Sequence, residues 1–136
     1  MRNKPSLSDL GESEMELLQL IWETGPATVA EIHDRVLKDR KVAYTTVMSQ
    51  LRKLADKGYL HFEQDGNAYV YTTARKPQEV RFSVLENILD KVFKGSAVEM
   101  VESLVRNEPL TSEEYAEIRR MIDEMERQQS EGGSTR

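Results

Sequence analysis

Residues 42–71 read VAYTTVMSQLRKLADKGYLHFEQDGNAYVY and decide the fold, because they join a helix to a β-hairpin with almost no linker. Within this stretch Val47, Leu51 and Leu54 recur at the spacing of one helix face, and small polar or cationic residues occupy the other. Gly58 predicts the end of the helix, since glycine adopts positive φ without a steric penalty. An Asp-Gly turn between two alternating segments then predicts the hairpin. A helix followed directly by a two-stranded wing is the winged helix-turn-helix arrangement.

Two helices are predicted upstream of this stretch. The first covers residues 12–23, with Met15, Leu18 and Trp22 on one face. That face is widened by Leu17, Leu20 and Ile21. Residues 26–28 can supply a short edge strand for the wing. Thr28 and Glu31 then form a capping-box pattern, which predicts the start of a second helix that ends near Lys38-Asp39.

Three more helices are predicted after the wing, beyond a polar hinge at residues 73–78. Pro77 fits the first turn of a helix, where the missing proline N–H costs no helical hydrogen bond. Ser96 can cap the next helix, and Thr111 begins a capping-box pattern before the last one. Residues 128–136 have nothing to bury, and a disordered tail is predicted there.

The predicted fold class is mainly α with a small β-wing. A winged helix-turn-helix domain is expected at residues 1–75, and a helical dimerisation domain at residues 76–127. The last three helices span only about 50 residues, too few to close a secure core, so a second copy of the chain is expected to cover their apolar faces. The alternative is that they fold back onto the winged domain. The expected dimer contacts are Val84, Leu85, Ile88, Leu89, Val92, Met100, Val101, Leu104, Ile118 and Ile122.

The charge distribution separates the two predicted domains. The chain as a whole carries a net charge of −5, yet residues 35–57 contain seven cations and only two anions. Residues 76–136 contain nine cations and thirteen anions. Phosphate binding depends on the local field rather than on total charge. The pattern therefore favours a nucleic-acid contact at the basic helix, with a merely solvated basic surface as the alternative.

Composition excludes several classes of protein. A hydrophobic content of 38% excludes a disordered chain, and no apolar run approaches the roughly 20 residues of a membrane span. The beginning, MRNKPSLSDLGE, lacks the apolar segment of a secretory signal. We therefore expect a soluble cytoplasmic protein without direct membrane association.

No catalytic or metal-binding pattern is present in the sequence. The absence of cysteine excludes disulfides, thiolate metal ligands and a cysteine nucleophile. His33 and His61 fall on different predicted elements, and neither an HExxH motif nor a glycine-rich phosphate loop occurs. Neighbouring carboxylates such as Glu113 and Glu114 are expected to be solvated helix charges. We predict no enzyme, no cofactor and no metal.

The chain resembles the penicillinase repressor family of the BlaI and MecI type, from residue 9 to about residue 127. The resemblance rests on three blocks in this order: ESEMELLQLIWE at 12–23, VAYTTVMSQLRKLADKGYL at 42–60 and DGNAYVYT at 65–72. It implies an N-terminal winged-helix domain and a C-terminal helical dimerisation domain. It further implies a dimeric transcriptional repressor on an inverted-repeat operator, with a membrane-anchored metallopeptidase as a sensor partner.

In such a domain the basic helix lies in the major groove of double-stranded DNA. Hydroxyl groups can bond to several base edges there, and arginine can address guanine. The residues expected to read bases are Thr45, Thr46, Ser49 and Arg52, with a phosphate contact as the alternative for Thr46. Those expected to contact the DNA backbone, which sets register without reading sequence, are Lys41, Tyr44, Lys53, Lys57 and Asn67. Members of the family often carry arginine where Asn67 stands, so a minor-groove cation at the wing tip is not expected.

The resemblance also implies release from DNA by proteolysis of the dimerisation domain. In the antibiotic-responsive members the cut falls at an Asn-Phe bond in the middle helix, and the flanking valines place Ser103-Leu104 at that position. Neither residue matches, so a protease that selects either side chain would lose its recognition here. A different cutting site nearby and a small ligand held between the helices are the alternatives.

Two classes of function remain from the sequence. The first is a DNA-binding repressor, and the second is a winged-helix interaction module whose basic face docks an acidic protein. Arg52 stands beside hydroxyl-bearing neighbours on one helix face. An acidic partner would require charge but not this mixture, so the pattern favours DNA.

Overall fold

Residues 9–132 are described by a computed structural model, and within them the chain forms six helices and a three-stranded sheet. This confirms the predicted class, mainly α with a small β-wing. In chain order the elements are α1 (Glu12–Thr24), β1 (Ala27–Thr28), α2 (Val29–Leu37), α3 (Tyr44–Asp56), β2 (Leu60–Asp65), β3 (Ala68–Thr73), α4 (Pro77–Lys91), α5 (Ala97–Asn107) and α6 (Ser112–Gly132). The chain divides into two compact units, with the division after Val92.

The wing is a hairpin completed by a short third strand. The antiparallel sheet has the order β1-β3-β2, so the predicted edge strand is confirmed. In the hairpin Asp65 pairs with Ala68, and Gly66 takes a φ of 65° in the two-residue turn. A side chain is disfavoured at this φ, which is why glycine suits the position. The register places Phe62 opposite Tyr71.

The core of the first unit lies where α1, α2, α3 and the wing meet. Val47, Leu51 and Leu54 are each fully buried, as the spacing on α3 predicts. On α1 the prediction was partly wrong: Leu17, Leu18 and Ile21 are the fully buried residues. Met15 and Trp22 are only partly buried and pack at the margin of the core. All these positions are apolar on α1, so periodicity alone could not fix which of them face inward.

Helix α4 belongs to the first unit and packs against its core. Its Val80 is 1% exposed within the core, and the Arg81 guanidinium lies 5.4 Å from the centre of the Trp22 ring. The predicted hinge is also held in place, because the Ala74 N–H donates to the Tyr59 carbonyl at 3.0 Å. The first compact unit therefore includes α4 and continues to Val92, whereas the winged-helix domain was predicted at residues 1–75.

The second unit contains α5 and α6, and both begin as predicted. The Glu99 N–H donates to the Ser96 hydroxyl at 3.1 Å. Thr111 and Glu114 exchange bonds of 2.9 and 3.0 Å, which completes the capping box. Helix α6 runs to Gly132, so the predicted disorder is not seen over residues 128–132; glutamine and glutamate there favour helix without needing burial. Residues 133–136 of that prediction lie outside the described part of the chain.

A buried carboxylate joins the start of α1 to the end of α3. Glu14 is 8% exposed, and its Oε1 accepts from the Lys57 ammonium at 2.8 Å and from the Gly11 N–H at 3.0 Å. Lys57 also donates to the Asp9 carbonyl, and the Tyr59 hydroxyl donates to the Asp9 carboxylate. Burial raises the pKa of Glu14. The hydrogen bonds from Gly11 and Lys57 and the charges of Lys57 and Lys53 outweigh this effect, so the net pKa is lowered.

Replacing Glu14 by glutamine should therefore destabilise the fold in a pH-dependent way. The Glu14→Gln variant is expected to lose about 1 kcal/mol of unfolding free energy at neutral pH, since a charge-assisted bond becomes a neutral one. The contribution is present above the ordinary pKa of 4.5 and is lost as the pH falls through the lowered folded-state value. Urea unfolding at pH 7 and at acidic pH measures it. Glu12→Gln, at an exposed position in the same helical turn, is the control, and an equal loss at both pH values would contradict the assignment.

Candidate nucleic-acid interface

The entry to α3 is fixed by contacts with α2 and α1. His33 Nε2 donates to the Val42 carbonyl at 2.8 Å, and the His33 ring meets Tyr44 edge-on at 5.6 Å. Arg40 in the preceding loop pairs with Glu16 at 2.7 Å. These contacts hold the loop, so the first turn of α3 has a defined direction. His33 thus has a structural role at the start of α3.

The exit from α3 is fixed by the predicted glycine. Gly58 has a φ of 88°, and its N–H donates to the Ala55 carbonyl at 3.0 Å. The Tyr59 N–H reaches back to the Leu54 carbonyl at 2.9 Å. This pair of bonds is the Schellman motif, which ends a helix and turns the chain sharply. Strand β2 then begins at Leu60, so the wing stands directly beside the helix.

The outer face of α3 presents the predicted base-reading residues to solvent. Thr45, Thr46, Ser49 and Arg52 are all exposed, and the buried residues of α3 lie on the other side of the helix. Met48 lies among them with 44% of its surface exposed. The structure therefore brings hydroxyl groups, a thioether and a guanidinium together on one accessible helix surface.

The residues predicted to contact the DNA backbone have different surroundings. Lys41, Lys53 and Asn67 are exposed, and Tyr44 is 45% exposed while its ring packs on His33. Lys57 instead forms the internal ion pair with Glu14. Its partner lies 43 positions away in the chain, which explains why the basic local sequence suggested a phosphate contact. Lys57 thus supports α3 from within the unit, and its contact with the DNA backbone stays a prediction.

An aromatic cluster on the wing faces α3. The Arg52 guanidinium carbon lies 5.4 Å from the Phe62 ring centre, and Phe62 in turn contacts Tyr69 and Tyr71. Tyr71 is buried, and burial raises the pKa of its hydroxyl. Tyr69 packs on Phe62 and is 40% exposed. Sequence reasoning missed Phe62; its signal was the strand alternation that places it on the same face as Leu60.

The predicted dimer residues fall in both compact units. Val84 packs against the core of its own unit, so part of its apolar surface is already buried within the chain. Leu85, Val92, Val101, Leu104 and Ile122 each expose about half of their surface, between 48% and 58%. The remaining predicted contacts are half-buried: Ile88, Leu89, Met100 and Ile118.

The Ser103-Leu104 bond lies inside helix α5. Leu104 is 58% exposed, and the Ser103 carbonyl accepts from the Asn107 side chain at 2.7 Å. The bond is therefore part of regular, hydrogen-bonded backbone rather than of a loop.

Across residues 9–132 no cluster of histidine and carboxylate side chains is suited to hold a metal ion. Within the same range no helix is both long and apolar enough to pass through a lipid bilayer.

Comparison with known proteins identifies relatives along nearly the whole chain. The family model of the penicillinase repressor matches residues 10–124. The methicillin resistance regulatory protein MecI of Mammaliicoccus sciuri is 22% identical over 115 residues, which cover 85% of this chain and 94% of MecI. The penicillinase repressor of Bacillus licheniformis is 24% identical over 131 residues, covering 96% of this chain and 100% of the repressor. A MarR family protein from Bacillus stearothermophilus shares the fold, with a TM-score of 0.50, 15% identity, and coverage of 90% of this chain and 76% of that one.

Proposed function

The chain belongs to the penicillinase repressor family, and from this premise we propose that it is a transcriptional repressor that binds an inverted-repeat DNA operator as a homodimer. The observation that carries the proposal is the exposed outer face of α3, on which Thr45, Ser49 and Arg52 lie together. An α-helix has about the diameter that the major groove admits. The fixed ends of α3 would let this face enter the groove without reorganising.

Local charge supports DNA as the partner despite the net charge of −5. Arg40 and Lys57 are paired with carboxylates of α1, so they add little to the positive electrostatic potential at the DNA-facing surface. Lys41 and Lys53 flank the hydroxyl-bearing residues and are assigned to phosphates. Each phosphate contact should make the decrease of log K with log salt steeper by about 0.9.

Dimerisation is supported by the second unit. No side chain of α5 or α6 is buried within the described part of the chain. Val101, Leu104, Ile122 and Met125 each expose more than half of their surface, at the helical spacing of continuous apolar stripes. A unit this small without buried side chains needs a partner for stability. A second copy supplies the matching stripes and also a second α3 for the other half-site.

Release from the operator would follow from loss of the second unit. Proteases act on extended backbone, so a cut at Ser103-Leu104 requires α5 to unwind first, with loss of the 2.7 Å bond from Asn107. A membrane-anchored metallopeptidase is the protease that family membership suggests. A cut elsewhere in the second unit, or a small ligand between its helices, remains the alternative release mechanism. A repressor of chromosomal DNA acts in the cytoplasm, which is where we place this protein.

The competing function is a module that docks an acidic protein. An acidic surface would be satisfied by lysine alone and gains nothing from Thr45 and Ser49, whereas base edges provide donors and acceptors for both hydroxyls. The combination of hydroxyl groups and cations on α3 therefore favours DNA over an acidic protein as the partner.

Binding to designed duplexes tests the proposed function. We expect the full-length protein to prefer an inverted-repeat duplex, obtained by selection from random sequence, over a scrambled duplex of equal length and composition. The half-site centres should lie one helical turn apart, roughly 34 to 36 Å. Fluorescence anisotropy at several salt concentrations measures both preference and slope. Equal affinity for the two duplexes at every salt concentration would contradict a repressor and favour the acidic-partner module.

A further inference from the structure

A cation–aromatic contact links α3 to the wing. The guanidinium carbon of Arg52 lies 5.4 Å from the Phe62 ring centre, inside the range of about 6 Å over which the ring face attracts a cation. Arg52 is exposed, and Phe62 is 38% exposed. The pair therefore lies at the surface, where a ligand on the outer face of α3 can reach the guanidinium.

Phe62 is itself held by two tyrosines of β3. Tyr71 lies opposite it in the strand register, with the ring centres 5.5 Å apart, and Tyr71 is 1% exposed. Tyr69 meets Phe62 edge-on at 5.2 Å and an interplanar angle of 79°. One neighbour thus belongs to the core and the other covers the ring from the outer part of the wing. The Phe62 ring is therefore a fixed platform for Arg52.

Positioning matters for arginine because its side chain is long. An arginine that projects from a helix samples many rotamers, and fixing one of them on binding costs entropy. A base-reading arginine must present its planar fork to guanine in one orientation. A ring that already holds the guanidinium reduces the number of states that binding has to remove.

We propose that Phe62 is a positioning residue that holds Arg52 for base reading, so that the wing contributes to sequence discrimination through α3. This inference rests on the proposed function, since it concerns the same DNA interface. The tip of the wing carries Gly66 and Asn67, neither of which is a cation. Discrimination from the wing would then come from its aromatic face and not from its tip.

A double-mutant experiment with full-length protein tests this role. The probe is the duplex that the wild-type protein enriches from a random library, with a panel in which each G·C pair is replaced in turn. Arg52→Ala identifies the pair that Arg52 reads. We expect Phe62→Leu to reduce discrimination at that pair alone, by about two- to fivefold, the contribution of an exposed cation–π contact. Phe62→Tyr keeps the ring and should retain the discrimination.

Three further arms separate positioning from general stability. In the Arg52→Ala background, Phe62→Leu should have no additional effect on discrimination, because the two residues act as a pair. His61→Ala changes the neighbouring position, which faces the other side of the strand, and is the matched control. In the free protein, the ring current of Phe62 should shift the Arg52 δ-proton resonances upfield, and this shift should vanish in Phe62→Leu but persist in Phe62→Tyr.

The outcomes distinguish this inference from the proposed function. Four results would overturn the positioning role alone. Phe62→Leu could weaken binding to every duplex of the panel alike, or its effect on discrimination could persist in the Arg52→Ala background. The third such result is the absence of the resonance shift in the free protein, and the fourth is unchanged discrimination in Phe62→Leu. Failure of the wild-type protein to enrich any sequence would instead overturn the repressor function, and the role of Phe62 with it.

Discussion

A fragment that ends at Val92 is expected to remain folded and monomeric, and to bind the operator roughly 10²- to 10⁴-fold more weakly than the full chain. The first compact unit reaches Val92 and keeps Val80 in its core, so the fragment retains its packing. It loses α5 and α6, and with them the tether that brings a second α3 to the other half-site. Light scattering measures its mass, and duplex titration measures its affinity.

A point variant of the full chain separates dimerisation from the loss of residues. Ile122→Glu places a charge on the exposed apolar stripe of α6, where the wild-type side chain is 52% exposed. It should weaken both the dimer and operator binding, while Asp123→Asn at the adjacent exposed position should leave both unchanged. A dimeric 1–92 fragment would show that the dimer is held without α5 and α6, by the α4 part of the predicted contact surface, where Leu85 and its neighbour Phe82 are exposed.

The elements of the winged unit could be predicted because their signals are local. A glycine at positive φ ends α3, a threonine and a glutamate three residues apart cap α2 and α6, and three apolar residues mark the buried face of α3. Each of these signals acts within a few residues of the chain. For this reason the order of the elements and most of their boundaries followed from the sequence.

The sequence was least informative where a residue far away in the chain sets the surroundings of a side chain. Lys57 is basic in a basic segment, yet Glu14 of α1 engages it. The polar segment at 73–78 looked like a hinge, yet Arg75 stacks at 5.1 Å on the Tyr59 ring. Helix α4 has apolar residues on several faces, so its periodicity could not show that Val80 and Val84 face the core of the first unit. Such pairings depend on tertiary packing and leave no local pattern.

Two adjacent cations on α3 have different surroundings. Arg52 and Lys53 are neighbours in the chain, both cationic and both exposed, so composition alone would give them one role. Successive residues on a helix point about 100° apart. Arg52 lies over Phe62 toward the wing, and Lys53 lies on the side of α3 whose charge acts on Glu14 of α1. The two side chains would therefore meet different parts of the DNA.

Arg52→Ala is accordingly expected to reduce discrimination at one base pair by about 1 to 3 kcal/mol, the value of a bidentate contact with guanine. Lys53→Ala should weaken binding to matched and scrambled duplexes alike and lower the salt slope by about 1. Each variant serves as the control for the other, because both remove one positive charge from adjacent exposed positions. Titration of both duplexes at three or more salt concentrations gives the two quantities together. If Arg52→Ala and Lys53→Ala changed affinity and slope in the same way, Arg52 would be a phosphate contact, and base reading would have to come from the hydroxyl groups of Thr45 and Ser49.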